Sequence, residues 1–181
     1  HIAALTFTNK AAREMKERVA QLVKGDTAKG LTVSTFHNLG LNIIRREHKQ
    51  LGFKPGFSIF DAEDARSLLK ELLFREGDQD SDLLNQVQLQ ISQWKNDLVL
   101  PHQAESFAQS DGEQKIAIIY KAYAQALKAY NAVDFDDLIL IPVQLFQTHS
   151  DILSHWQKKI RYLVVDEYQD TNSSQYLLVK L

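Results

Sequence analysis

The stretch RYLVVDEYQDTNSSQ (161–175) decides how the chain is read. Tyr162 to Val165 carry no charge and run directly into Asp166 and Glu167, with a third acid, Asp170, close behind. A short apolar run of this kind suits a strand buried on both faces of a parallel sheet. Such a strand delivers its last residues to the carboxyl edge of the sheet, where open α/β folds bind ligands. An aspartate there is held rigidly beside a phosphate site and can take Mg²⁺ directly or through water. A neighbouring glutamate can orient, or accept a proton from, the water that attacks a γ-phosphate. The same acids equally suit a solvated strand end ahead of a helix N-terminus, where carboxylates are favourable in any case.

Two further runs read as strands, IAALTF (2–7) and LTVST (31–35). Between them, NKAAREMKERVAQLV (9–23) places Ala12, Met15, Val19, Leu22 and Val23 at steps of three and four, the mark of an amphipathic helix. Asn9 is the expected N-cap and Gly25 the expected stop. Strand, helix, strand within this span is a βαβ unit. The next helix is expected from about Phe36 to Lys49, ending before Gly52 and Pro55.

Residues 61–132 change character. Asp61 can cap a helix carrying Ala65, Leu68, Leu69 and Leu72. Leu83, Leu84, Val87, Ile91 and Trp94 form a second stripe, and Ile116, Ile119, Tyr120, Tyr123, Leu127 and Tyr130 a third. Trp94 and the three tyrosines sit at stripe positions and are expected in the core of this region. No strand pattern intervenes. The reading is an α/β domain with a parallel sheet, split into residues 1–50 and 134–181 by an all-helical insertion over 51–133. Pro142, inside DLILIPVQLF, is expected to kink or break its helix.

Composition bounds the possible chemistry. The chain has 181 residues, 44% of them apolar and 24% charged, which reads as globular and not disordered. With no cysteine, a disulfide scaffold and a thiolate metal site are excluded. No 18-residue apolar run exists, the N-terminus lacks the layout of a secretory signal, and a cytoplasmic location without membrane contact is expected. Net charge is −2 but unevenly spread. Residues 1–50 hold nine Lys/Arg against four Asp/Glu, residues 51–133 eight against twelve, and residues 134–181 four against seven. A basic first segment beside an acidic last one suits an anionic partner at one place and a bound cation at another, although solvated charge scatters this way too.

VDEYQDTN (165–172) resembles the Walker B segment of superfamily-1 DNA helicases of the UvrD, PcrA and Rep type. TFTNKAAREMKERV (6–19) is similar to that family's motif Ia, STFHNLG (34–40) to its motif Ib, and DFDDLIL (134–140) to a segment shortly before its Walker B strand. ISQWKNDL (91–98) and KIRYLVVDEYQDTNSSQY (159–176) look most like the Rep branch. The resemblance covers essentially the whole chain and implies a partial RecA-like domain interrupted by a helical subdomain. It also implies an ATP-dependent helicase moving 3′ to 5′ on single-stranded DNA and at single-strand/duplex junctions, in replication or repair, with ATP and Mg²⁺ as its cofactors.

Carried over by position, the resemblance makes Asp166 the Mg²⁺ ligand and Glu167 the residue that activates water. It puts Phe7, Asn9 and Lys10 on the single-stranded DNA track, with Thr35 and His37 touching the DNA backbone or sugar on the same face. An aromatic ring is a sequence-blind platform for a base, and an Asn at a helix start can hold a phosphate. Asp134 is a sufficient N-cap for a helix beginning at Phe135; in the family's terms, Asp134 and Asp136 lie near the DNA-facing side and position a basic neighbour.

The family's phosphate-binding loop, G-x-x-x-x-G-K-[ST], does not occur in these 181 residues. GDTAKGL (25–31) lacks the Lys after its second Gly and lies between a helix and a strand in the wrong order. The chain begins at a strand and stops within SSQYLLVKL, and is therefore expected to be a piece of a longer protein, inactive by itself and with an apolar sheet edge left open. Two other readings stand beside the helicase. One is a piece of a helicase–nuclease of the RecB or AddA kind. In the other, the acidic insertion acts as a docking module for a replication or repair protein.

Overall fold

The fold is given by a computed structural model that describes residues 2–23, 30–77 and 80–181. GDTAKGL, with the expected stop at Gly25, lies outside these residues except for Gly30 and Leu31. The βαβ unit forms as β1 (Ile2–Thr6), α1 (Asn9–Leu22) and β2 (Leu31–Thr35). The run at 162–165 becomes β5 (Tyr162–Val165), which pairs with the other side of β1, so that β1 is central in a parallel three-stranded sheet. Thr6 is level with Thr35, and Leu5 with Val165. Phe7, Phe36 and Asp166 therefore all leave the sheet at the same edge.

Two local expectations change here. The cap of α1 is Thr8 and not Asn9: Thr8 is extended and its hydroxyl accepts from the Ala11 amide at 3.1 Å, while Asn9 is already helical. On α1 only Ala12 is buried, against Ala4 and Val33 with Met15 alongside, and Leu22 is exposed. Strand β5 is not buried on both faces. Leu163 and Val165 pack into the core below the sheet, whereas Tyr162 and Val164 face outward. The alternation is that of an edge strand with one covered face.

After β2 come α2 (Phe36–Arg46) and a separate turn of helix, α3 (His48–Leu51), where the sequence suggests one helix to Lys49. Gly52, in the left-handed region at φ 79°, closes α3. The helical region then comprises α4 (Ala62–Arg75), α5 (Ser81–Asn96), α6 (Ala104–Phe107) and α7 (Asp111–Ala129). Asp61 caps α4 as expected, in a reciprocal capping box with Asp64. Leu68, Leu69, Val87, Ile91, Trp94, Tyr120 and Tyr123 make one core, with Trp94 stacked on Tyr120 at 5.8 Å. Tyr130 is not part of it. It lies one residue past α7, 58% exposed, with its ring against Phe60. At the borders of this region, β3 (Ser58–Phe60) and β4 (Ala132–Asp134) pair in parallel, an element too short to show as alternation in the sequence.

The remainder is helical on the far side of the sheet: α8 (Asp137–Thr148), α9 (Ser150–Lys159) and, after β5 and a 3₁₀ turn at Tyr168–Asp170, α10 (Ser173–Lys180). Leu5, Phe36, Ile43, Ile139, Val143, Phe146, Trp156 and Leu178 form a second core here. Pro142 neither ends α8 nor interrupts it; the helix runs from Asp137 to Thr148. Proline does deny the Leu138 carbonyl its usual amide partner four residues on. That carbonyl lies against Gly40 on α2, where an added Cβ would sit 1.6 Å from the Leu138 oxygen. The absence of a side chain on α2 and of an N–H on α8 meet at one helix crossing.

Candidate functional site

The carboxyl edge of the sheet gathers most of the residues singled out above. Strands β2 and β5 flank β1 at the usual strand spacing, so their ends stand roughly 10 Å apart across it. On the β2 side, Phe7 is half-buried and its ring packs on Phe36 at 5.3 Å. Asn9 and Lys10 are exposed on the first turn of α1. With Thr8 serving as cap, Asn9 is not needed for that purpose and its amide is open to a ligand. The N-cap of α2 is Thr35, whose Oγ1 accepts from the Asn38 amide at 3.1 Å. It is buried, and only its hydroxyl proton remains to offer a phosphate.

His37 is half-buried beside Phe135, their rings edge to face at 6.4 Å. Burial holds its pKa below the ordinary 6.5, so at neutral pH the ring is uncharged. It can stack or exchange hydrogen bonds there, but not act as a cation. Phe135, 48% exposed between two acids, adds its ring to the aromatic surface of His37. The family resemblance places DFDDL near this face through its aspartates, and Phe135 is the residue of that segment whose ring meets His37. The available signal was an aromatic residue between acids in a turn, where the core has no use for it.

On the β5 side, the Asp166 amide donates to the Leu5 carbonyl at 3.0 Å, which extends the ladder one residue past the strand. Glu167 adopts a left-handed conformation, φ 51° and ψ 49°, costly for a residue with a Cβ. Strain of this kind persists where the surroundings impose it and is concentrated at functional sites. Both carboxylates are exposed and have no hydrogen-bond or ion-pair partner among the described residues. Nor do three or more His, Asp or Glu converge into a closed metal cage among the described residues. Two free carboxylates at a strand end fit Mg²⁺, which keeps several waters and takes one or two protein oxygens plus phosphate.

Behind the edge lies an arrangement that the sequence did not reveal. Lys95, near the end of α5, is 3% exposed. Its Nζ donates to Asp134 Oδ2 at 2.7 Å and to Asp137 Oδ1 at 2.9 Å, and lies over the Tyr123 ring at 5.1 Å. The Tyr123 hydroxyl donates to Asp134 Oδ2 at 2.8 Å. The two aspartates also exchange backbone bonds, Asp137 N to Asp134 Oδ1 at 2.9 Å and Asp134 N to Asp137 Oδ2 at 3.2 Å. Asp134 thus caps α8 from three residues before its start, and the helix begins at Asp137, not Phe135. The basic neighbour expected for this segment is Lys95, bound by Asp134 and Asp137. Asp136 instead hydrogen-bonds the Ser92 side chain.

Burial pushes Asp137 up to about 6 against the opposing pull of Lys95. Asp134, also opposed by burial, is held below the carboxylate range by Lys95 and its hydrogen bonds. From pH 3.8 to about 6 the folded chain keeps a proton on Asp137 that the unfolded chain releases, so its contribution to stability falls as pH rises through that window. Asp134 has the opposite sign, its contribution being lost as pH falls. In Asp137→Asn, unfolding free energy by urea titration should therefore climb more steeply from pH 4 to 6 than in the native chain. Parallel profiles would remove Asp137 as the titrating group.

No helix among the described residues is long and apolar enough to cross a membrane. The family model for the UvrD/REP helicase N-terminal domain matches residues 1–181. The chain is 55% identical over its full length to ATP-dependent DNA helicase Rep of Escherichia coli, 46% to that of Buchnera aphidicola subsp. Schizaphis graminum, and 42% to ATP-dependent DNA helicase PcrA of Staphylococcus aureus. It covers 27%, 28% and 25% of those proteins, so it spans about a quarter of the length of the curated relatives it matches. With a family model matched over every residue, the chain belongs to the UvrD/REP helicase family, in its N-terminal domain.

Proposed function

We propose that the protein carrying this chain is an ATP-dependent DNA helicase that moves 3′ to 5′ on single-stranded DNA. It would open duplex at single-strand junctions in replication or repair, in the cytoplasm. One observation carries the reading: a single sheet edge has a half-buried aromatic ring and exposed amide and ammonium groups where β1 leads into α1, and two unpartnered carboxylates beyond β5. Residues 1–50 and 134–181 form the RecA-like part, and residues 51–133 the helical insertion; the separate cores support that division.

Asp166 would hold Mg²⁺ at the phosphates of ATP. When bound there, such an ion would supply electrostatic stabilisation of the charge that develops on the transferred phosphoryl group. Glu167 orients the attacking water and takes its proton at a carboxylate oxygen. Just past the end of β1, Phe7 offers its ring to a base, while Asn9 and Lys10 hold phosphate. His37, uncharged, contacts sugar or base, and Thr35 anchors the start of α2 and offers its hydroxyl proton to the backbone. No phosphate-binding loop lies within the 181 residues, so turnover needs more of the protein. The full-length protein should hydrolyse ATP with strong stimulation by oligo(dT), and the 181-residue chain should show no appreciable turnover. Robust turnover by the chain alone, or a full-length protein indifferent to DNA, would sink the reading.

A further inference from the structure

We propose that Lys95 is a positioning residue for the DNA-facing edge: from inside the helical region it holds the turn that presents Phe135 against His37. The proposal rests on the reading of that edge given above. Its geometry is independent of that reading.

Residues 134–137 form a short turn whose two ends are both aspartates, and Lys95 binds both. Asp134 and Asp137 are drawn inward onto one ammonium. Phe135, between them, is turned outward to His37. Tyr123 of α7 seats the same Asp134 oxygen, so two insertion helices, α5 and α7, fix one turn of the α/β part. Burial of Tyr123, then its place beside Asp134, raises its phenol and keeps it a hydrogen-bond donor.

A buried ion cluster is a weak source of net stability, because desolvation offsets most of the attraction. What it supplies is a defined geometry, and here the geometry has an alternative to exclude. A cavity of about 230 Å³, lined in part by Phe60, Gln88, Ser92, Tyr123 and Phe135, opens directly beside the turn. With Lys95 in place the Phe135 ring stays against His37. Without it, the turn is free to relax and the ring can enter that cavity. The seating of the insertion thereby sets the shape of the DNA edge.

Lys95→Met keeps an unbranched side chain as far as the Cε position and removes the ammonium. In the 181-residue chain, NMR should show the Phe135 and His37 rings separated and the His37 titration midpoint moved up toward 6.5, with the rest of the amide spectrum kept. If the single variant does not fold, Lys95→Met/Asp137→Asn is read instead, because it restores the cluster's native net charge. Rings still in van der Waals contact, with the native His37 midpoint, in either folded variant overturn the proposal. In the full-length protein, Lys95→Met should raise the oligo(dT) concentration for half-maximal ATP turnover about tenfold, roughly the loss of one base–aromatic stack. Turnover at saturating DNA should be unchanged, and a fall in maximal turnover with no change in DNA requirement also overturns it. If the full-length protein shows no DNA stimulation at all, the helicase reading fails, while the position of the Phe135 ring still decides the role of Lys95.

Discussion

Glu167→Gln in the full-length protein should lower DNA-stimulated ATP turnover by about 10²–10⁴-fold, the range expected for loss of a positioned general base. Nucleotide binding should be largely intact. Glutamine matches glutamate in size and can take the same left-handed backbone at this position, so the strand end keeps its shape. It cannot take a proton from water. The exposed Glu167 has no partner among the described residues, and its loss leaves no buried group unsatisfied. Stability should therefore change by less than about 0.5 kcal/mol, as for other surface substitutions. Single-turnover hydrolysis beside equilibrium binding of a fluorescent ATP analogue separates the two effects. Normal hydrolysis would remove Glu167 from the proton-accepting role; equal losses of binding and turnover would make it a ligand.

The sequence made the sheet edge legible because the signals there are local. An apolar run that stops at two acids, and a βαβ unit within the first 35 residues, are enough to bring Phe7, Thr35 and Asp166 to one edge. Cap identity was less legible, since Thr8 and Asn9 are adjacent residues of similar capping ability and backbone conformation alone chooses between them. Tyr130 fits the α7 stripe by spacing, but the helix ends one residue earlier, and a stripe cannot report where its helix stops. The buried cluster was out of reach for another reason. Lys95 lies on the largely polar α5 and reads as solvated, while its partners lie 39 and 42 residues away at the end of β4 and the start of α8. A charge becomes a core residue only when the fold supplies counter-charges, and no local pattern encodes that.

The second large effect is expected at a residue with no chemistry at all. Gly40→Ala should destabilise the chain by about 3 kcal/mol or more, at or beyond the upper end of ordinary overpacking. The new Cβ would lie 1.6 Å from the Leu138 carbonyl oxygen and 2.7 Å from its carbon, and both are backbone atoms that no rotamer change can move. Helices α2 and α8 would have to separate, which would open the core around Ile43, Ile139 and Val143 and disturb Ile44 against Leu138. Because α2 begins at the Thr35 cap and α8 follows the Lys95-held turn, the shift would also reach His37 and Phe135. For a chain of this size, 3 kcal/mol corresponds to a Tm lower by about 10 °C, and total stability is only about 5–15 kcal/mol. Gly112 supplies the internal control. It too is helical, on the first turn of α7, but a Cβ there meets only the Ser110 hydroxyl at 3.7 Å. Gly112→Ala should be neutral or stabilise by up to about 1 kcal/mol, through the lower conformational entropy of the unfolded chain. Thermal unfolding of the two variants side by side tests the crossing. If both shift Tm equally, the close approach of Gly40 to the Leu138 carbonyl does not set the α2–α8 distance.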